Sequence, residues 1–156
     1  MNIVARENTK MNDSNDPMVR LHLRLGWWGM LVFLSMGGGL ELLHALKLGF
    51  YLDVGNDTRR MLWTLAHAHG TLFAMLQFGF VMTLVLMPEW KGKGREWASR
   101  GLMASLLLVP GGFFLGGLFI HRGDPGLGIF LLPIGFALLF IGVLSTALGV
   151  ESSGSE

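Results

Sequence analysis

The chain has 156 residues, of which 51% are hydrophobic and only 15% charged, and its formal net charge is +1. This balance excludes a strongly basic nucleic-acid-binding surface. The absence of cysteine excludes disulfides, protein-ligated iron–sulfur clusters and thioether-attached haem. Because the charges are confined to the termini and to short connections, the composition indicates an integral membrane protein.

Four apolar segments follow a polar amino-terminal stretch. Residues 1–18 contain no apolar core segment, which predicts a disordered tail and excludes a cleaved signal peptide. The predicted transmembrane helices cover about residues 25–49, 61–87, 99–121 and 126–150. These runs match the roughly 20 residues that a bilayer core requires, and they are too long and continuous for barrel strands. Residues 151–156 form a second predicted tail, so residues 19–150 are expected to be an all-α, antiparallel bundle of four transmembrane helices.

Lysine and arginine near the helix ends predict the orientation. One side of the membrane carries Arg6, Lys10, Arg20, Arg24, Lys91, Lys93, Arg95 and Arg100. The other side carries Lys47, Arg59, Arg60 and Arg122, which three aspartates balance. The positive-inside rule then places both termini in the cytoplasm of a bacterial cell, with the chain in its inner (cytoplasmic) membrane.

Glycine spacing in the last two helices predicts close helix packing. Gly128, Gly135, Gly142 and Gly149 recur every seven residues, and Gly112 and Gly116 are spaced as in small-xxx-small motifs. Small residues let helix backbones approach closely in lipid, where no hydrophobic driving force brings helices together. A glycine-rich face that remains uncovered is expected to dock a membrane protein partner or a second copy of the chain.

Histidines and one glutamate gather at the outer ends of the predicted helices. The set consists of Glu41, His44, His67, His69 and His121. Glu41 and His44 share one face of the first helix, whereas His67 and His69 point about 200° apart and should not both bind one metal ion. Ionisable groups within a membrane helix are expensive unless paired, so they predict a functional site. Their spacing leaves open which of His67 and His69 is the ligand.

These residues favour a bound redox cofactor. Histidines on adjacent membrane helices suit axial ligation of haem b, for which His44, His67 and His69 are the candidates. The alternative is a copper or zinc site drawn from His44, His67, His69, His121 and Glu41. Either site predicts electron transfer or redox-linked chemistry with a partner.

Two other functions remain open. The chain is alternatively a small accessory subunit of a larger respiratory or similar membrane complex, with no cofactor of its own. A third possibility is proton or ion transport that uses Glu41.

The stretch Ala66-His-Ala-His-Gly70 resembles His-x-His stretches in some small four-helix membrane proteins and, more distantly, in relatives of haem–copper oxidases. The resemblance covers about ten residues and implies haem or copper. It provides no residue assignments, because the oxidase core has more helices and metal-binding histidines than this chain contains.

Overall fold

The computed structural model describes residues 16–52, 55 and 57–153 as an all-helical chain. Its elements are α1 (Pro17–Ala45), the short α2 (Gly49–Leu52), α3 (Asp57–Leu86), α4 (Lys93–Leu118), a 3₁₀ turn (Leu127–Phe130) and α5 (Leu131–Ser153). Within this described part, α1, α3, α4 and the turn with α5 are each long and apolar enough to cross a membrane. They indicate a multi-pass membrane protein, as the sequence predicts.

Helix α1 begins at Pro17, earlier than the predicted residue 25. The side chain of Asp16 accepts a hydrogen bond from the Met18 N–H at 2.8 Å and caps the helix, and a proline fits the first helical position. The run without charged residues covers only the most apolar part of α1. The helix itself begins in the polar residues that precede this run. Residues 16–18 of the predicted tail therefore form the helix start, and residues 1–15 lie outside the described residues.

The other helix ends also differ from their predicted positions. Helix α1 stops at Ala45 instead of residue 49, because Lys47 adopts a positive φ of 52° that ends a helix. Helix α4 stops at Leu118, before the predicted end at His121. At the carboxyl end, α5 continues to Ser153, so the predicted tail begins later than residue 151.

An ion pair joins the starts of α1 and α4. The carboxylate of Asp16 binds the guanidinium of Arg95. Burial by itself raises the pKa of Asp16, but hydrogen bonds from Arg95 and from the Met18 N–H, with the charges of Arg95 and Lys91, lower the pKa below its ordinary value. The two helices therefore begin at the same end of the molecule.

Each long helix packs chiefly against its neighbours in the chain, α1 on α3, α3 on α4 and α4 on α5. The main core lies between α3 and α4 and consists of Leu62, Ala66, Phe73, Ala74, Leu106, Val109 and Phe113. In the apolar windows of α3 and α4, 39% and 56% of residues are buried, against 6% and 11% in α1 and the last span. The two middle helices therefore form the centre, and the outer two expose apolar side chains, which is compatible with contact with a lipid bilayer.

The seven-residue glycine repeat faces α4 and the residues just before it, which confirms the predicted close packing. A Cβ at Gly128, Gly135, Gly142 or Gly149 would meet atoms of Leu115, Val109, Leu102 or Trp90, respectively, at or within 3.0 Å. On the other helix, a Cβ at Gly101 would lie 2.5 Å from the carbonyl oxygen of Leu138. Glycine at these positions lets two backbones touch, and dispersion contacts then hold the helices together in lipid.

We expect Gly101→Ala to destabilise the protein in detergent, because its methyl group must push the α5 backbone away at a cost of about 1–3 kcal/mol. Gly111→Ala on the same helix is the matched control, since a Cβ there meets no atom within 4 Å. Alanine should be neutral or stabilising at that control site, because it favours helix over glycine. Thermal unfolding of both variants measures this difference. Equal stability of the two variants would contradict the close approach of α4 and α5.

Candidate functional site

A groove between the end of α1 and the start of α3 gathers three of the predicted site residues. Glu41 and His44 of α1 and His67 of α3 line this groove, together with Tyr51 of α2 and Thr64. Its volume is about 310 Å³, and Leu34, Leu40, Gly37 and Gly38 complete its walls. We call this the histidine groove. It lies far along α1 from the Asp16–Arg95 ion pair, at the opposite end of that helix.

The imidazole of His67 is oriented by the backbone of the facing helix. Its Nδ1 lies 2.7 Å from the carbonyl oxygen of Phe33. A carbonyl oxygen only accepts hydrogen bonds, so Nδ1 carries a proton, and in the neutral ring Nε2 then has the lone pair. Within the described chain, no hydrogen bond to Nε2 is present. The ring therefore has the orientation typical of a metal-ligating histidine, whose other ring nitrogen donates to a carbonyl.

Two glycines make room for this arrangement. A Cβ at Gly37 of α1 would overlap the ring of His67, and a Cβ at Gly70 of α3 would overlap the ring of Phe33. Each helix therefore places a glycine opposite a large side chain of the other helix: Gly37 lies opposite His67, and Gly70 lies opposite Phe33. This arrangement brings the Phe33 carbonyl within hydrogen-bonding reach of His67.

Glu41 and His44 stand on the exposed wall of the histidine groove, about one helical turn apart. Neither side chain forms a hydrogen bond or ion pair with another described residue. Across residues 16–52, 55 and 57–153, no three His, Cys, Asp or Glu side chains form a group that could hold a metal ion. The five predicted metal ligands are therefore not assembled as one preformed site.

His69 lies outside the histidine groove, on another side of α3. Its Nδ1 donates to the carbonyl oxygen of Leu65 at 2.9 Å. Its ring packs at a centroid distance of 5.0 Å from Phe113 of α4 and 5.9 Å from Phe136 of α5. His67 and His69 therefore have different surroundings, as their angular separation of about 200° predicts.

His121 is also separate from the histidine groove. It lies in the turn after α4, where it is exposed and pairs through its backbone with Asp124. The turn contains positive φ angles of 52° at Arg122 and 90° at Gly123. Helix α4 has already ended before this turn, because Phe119 takes a non-helical ψ of 86°, and His121 is not among the residues that line the histidine groove.

A stack of aromatic rings holds Tyr51 at the groove. Tyr51 stacks on Trp63 at a centroid distance of 6.2 Å, and Trp63 stacks on Phe114 of α4 at 5.6 Å. The Trp63 indole N–H donates to the carbonyl oxygen of Phe114, and the guanidinium of Arg59 donates to the carbonyl oxygens of Phe50 and Gly117. The short α2 is thereby attached to both central helices beside Glu41 and His44.

A second polar cluster, which the sequence analysis did not identify, joins three helices near the other end of α1. His22 is fully buried, with Nδ1 2.5 Å from Oε1 of Gln77 on α3 and Nε2 2.8 Å from Oγ of Ser99 on α4. The amide nitrogen of Gln77 donates to the carbonyl oxygens of Phe73 and Leu102. We call His22, Gln77 and Ser99 the histidine junction.

The hydrogen bonds of the histidine junction fix its proton positions. Because the Gln77 amide nitrogen faces two carbonyl oxygens, its own oxygen faces His22 and accepts the Nδ1 proton. The His22 Nε2 then accepts the Ser99 hydroxyl proton. Both ring nitrogens are occupied, so the junction binds the helices to one another and leaves no nitrogen for a cofactor.

His22 lies between Arg20 and Arg24 in the sequence, which suggests a side chain at the membrane surface. The same spacing also indicates a buried side chain. A residue two positions from each of two exposed arginines points away from both, and here that direction is the helix interface. Gln77 has an amide side chain within an otherwise apolar helix, and this residue indicates a buried hydrogen-bond partner for His22.

Comparison with known proteins identifies no relative. No protein-family model matches the chain, and neither a curated protein nor a solved structure matches it. The function is therefore inferred from the residues of the histidine groove.

We expect Ser99→Ala to lower the free energy of unfolding by about 1 kcal/mol, because it leaves the buried Nε2 of His22 without a donor. Ser105→Ala is the matched control, since Ser105 is equally buried on α4 but donates within its own helix, to the carbonyl oxygen of Leu102. Detergent unfolding curves of the two variants provide the measurement. A Ser105→Ala loss as large as that of Ser99→Ala would argue against a bridge between helices.

Proposed function

We propose that this protein is a multi-pass protein of the bacterial inner membrane that binds haem b in the histidine groove and takes part in electron transfer with a partner. Its four long helices form an antiparallel bundle with both termini in the cytoplasm, so the groove faces outward. His67 would be the principal residue that holds the haem iron, and His44 would be the candidate for a second ligand. The bound haem would supply one-electron redox chemistry.

The observation that carries this proposal is the hydrogen bond from His67 Nδ1 to the Phe33 carbonyl oxygen. It holds the neutral ring in one tautomer, with the Nε2 lone pair available to iron. His69 also donates Nδ1–H to a carbonyl oxygen, but its ring is packed among phenylalanines outside the groove. His67 is therefore the better ligand of the pair.

The groove favours haem over a copper or zinc ion. Copper and zinc sites need three or four protein ligands, whereas a porphyrin supplies four nitrogens and leaves only axial positions to the protein. One oriented histidine with a second nearby satisfies haem, while no group of three suitable ligands exists in the described chain. The backbone of Gly37 and Gly38 gives one wall a low profile that a flat ligand could approach.

The size of the groove fits a site that a partner or lipid completes. Its volume of about 310 Å³ lies at the lower end of the roughly 300–1,000 Å³ of small-molecule sites. A haem would therefore remain partly uncovered. Exposed Glu41 and His44 at the open side give a partner polar groups to contact, and an uncovered haem edge suits electron exchange.

An accessory subunit without a cofactor is the second candidate. The number of available ligands supports it, because Glu41, His44 and His67 are the only His, Asp or Glu residues in the described lining of the groove and they do not form a metal-binding group. In that case His67 would have a packing role between α1 and α3, and Glu41 and His44 would interact with water at the membrane surface.

The optical spectrum of protein purified from haem-replete cells tests the proposal. We expect a dithionite-reducible haem band, which His67→Ala should weaken at least about tenfold because it removes the axial nitrogen. His69→Leu is the matched control, two positions away on the same helix, and should retain the band. Metal analysis of the same samples identifies any copper or zinc.

Absence of porphyrin from folded wild-type protein, or a band that survives His67→Ala, would overturn the haem proposal. Stoichiometric copper or zinc without haem would favour the metal site, and absence of both would favour the accessory subunit. Gly37→Ala gives a further check, since its methyl group displaces the His67 ring without removing the ligand. It should change the shape of the haem band before it abolishes binding.

A further inference from the structure

His69 belongs neither to the histidine groove nor to the histidine junction. Its ring is half-buried, and its Nδ1 donates to the carbonyl oxygen of Leu65 at 2.9 Å. In the neutral ring, Nε2 therefore has the lone pair and only accepts a hydrogen bond. Within the described chain this nitrogen forms no hydrogen bond, and it is not one of the fully buried side-chain atoms that lack a partner. The acceptor is therefore reachable from outside the bundle.

The depth of His69 along α3 determines what can reach this acceptor. Arg60 is the last charged residue before the apolar part of α3. The helix rises about 14 Å from Arg60 to His69 at roughly 1.5 Å per residue. One leaflet of a bilayer contributes about 15 Å of hydrocarbon, so the ring lies near the middle of the membrane. Because water is scarce at that depth, a donor for Nε2 must itself dissolve in lipid.

Three phenylalanine rings surround the imidazole of His69. The ring centroids lie 5.9 Å from Phe73 of α3, 5.0 Å from Phe113 of α4 and 5.9 Å from Phe136 of α5. Phe136 is 38% exposed, so part of its ring remains open to a ligand. Aromatic rings pair favourably with one another, and these surroundings therefore favour a ligand with a flat aromatic ring.

An apolar groove runs between α3 and α5. Its walls include Leu76, Gly79 and Phe80 of α3 with Val143 and Ala147 of α5, and its volume is about 340 Å³. We call this the α3–α5 groove. Two threonine hydroxyls in its lining, at positions 83 and 146, donate to carbonyl oxygens of their own helices. The groove therefore suits a hydrocarbon chain.

The α3–α5 groove continues the helix faces that hold the imidazole. Leu76 follows His69 by seven residues on α3, and Val143 follows Phe136 by seven residues on α5. Residues seven apart lie on one face of a helix, separated by about 10 Å. A long hydrocarbon tail attached to a ring beside His69 would therefore reach the groove and lie along it.

We propose that His69 binds a membrane-soluble hydroquinone that has a hydrocarbon tail. One hydroxyl group of the ligand donates to Nε2 of His69, its ring packs against Phe136, and its tail lies in the α3–α5 groove. The acceptor nitrogen selects the reduced form, because a quinone has carbonyl oxygens and no proton to donate. A lipid tail or a second copy of the chain would fill the groove, but neither accounts for an acceptor among three aromatic rings. The site does not depend on the proposed haem function.

A pair of ligands tests the hydrogen bond without any change to the protein. Native mass spectrometry of the full chain, in an uncharged detergent under argon, compares a dodecyl-substituted hydroquinone with its dimethyl ether. The ether has the same ring and tail but no hydroxyl proton. It should bind about five- to tenfold more weakly, which corresponds to the loss of one hydrogen bond. Equal affinity for the two ligands would overturn the proposal.

A substitution assigns the acceptor to His69. His69→Phe retains an aromatic ring and removes the nitrogen, so it should lower the affinity for the hydroquinone to that for the ether. Its affinity for the ether should stay the same. His121→Phe is the matched control, because His121 is an exposed histidine in the turn after α4. It should bind both ligands as wild type does, and an unchanged hydroquinone affinity in His69→Phe would contradict the assignment.

A second substitution tests the place of the tail. Gly79→Leu adds a side chain in the α3–α5 groove, at a position where a Cβ meets no protein atom within 4 Å. It should weaken binding of the dodecyl hydroquinone and leave a hydroquinone without the tail unaffected. Gly111→Leu is the control, since Gly111 is equally open but lies outside this groove. A dimer that Gly79→Leu disrupts while hydroquinone binding persists would overturn the proposal, because a second copy would then occupy the groove.

Discussion

Three imidazoles within the long helices, those of His22, His67 and His69, are each held by a hydrogen bond to a carbonyl oxygen, and these bonds organise the helix contacts. His22 donates Nδ1–H to the side-chain oxygen of Gln77, while His67 and His69 donate to the backbone oxygens of Phe33 and Leu65. A polar N–H that lipid surrounds costs several kcal/mol if it is left unpaired, so these bonds determine where each ring can lie. The three rings differ at Nε2, which is occupied by Ser99 in His22 and unbonded within the described chain in the other two. His22 therefore joins helices through both of its ring nitrogens, whereas His67 and His69 each use only one.

Glycine makes these bonds geometrically possible. Contact between α1 and α3 depends on Gly37 and Gly70, which leave space for the rings of His67 and Phe33. Contact between α4 and α5 depends on the glycine repeat, where backbone meets backbone. The hydrogen bonds of the histidines therefore depend on the glycines, because a polar group can reach a partner on another helix only where the two helices approach closely.

The sequence predicted the features that depend on local spacing. Run length predicted the four long helices, the seven-residue repeat predicted the α5 face that meets α4, and the two-residue spacing predicted different surroundings for His67 and His69. The true start of α1 is marked by Asp16 and Pro17, which form a capping sequence, whereas the run without charges marks only the apolar middle of the helix.

The remaining features depend on how each helix is rotated against its neighbours, which spacing alone does not determine. The burial of His22 required knowledge that Gln77 and Ser99 face the same point from two other helices. The choice of His67 over His69 for the groove required the position of the Phe33 carbonyl oxygen. His121 lies in a turn because the backbone leaves the helical conformation at Phe119, before the apolar run ends.

The most direct test of the central claim is nitrogen-15 NMR of histidine-labelled protein in lipid bilayers, with each signal assigned by substitution. This measurement distinguishes protonated from unprotonated ring nitrogens at each site. The account predicts that the neutral ring of His67 carries its proton on Nδ1 and has an unprotonated Nε2. A proton on Nε2 and a bare Nδ1 at His67 would contradict the account, because that tautomer cannot donate to the Phe33 carbonyl oxygen and has no Nε2 lone pair for a cofactor.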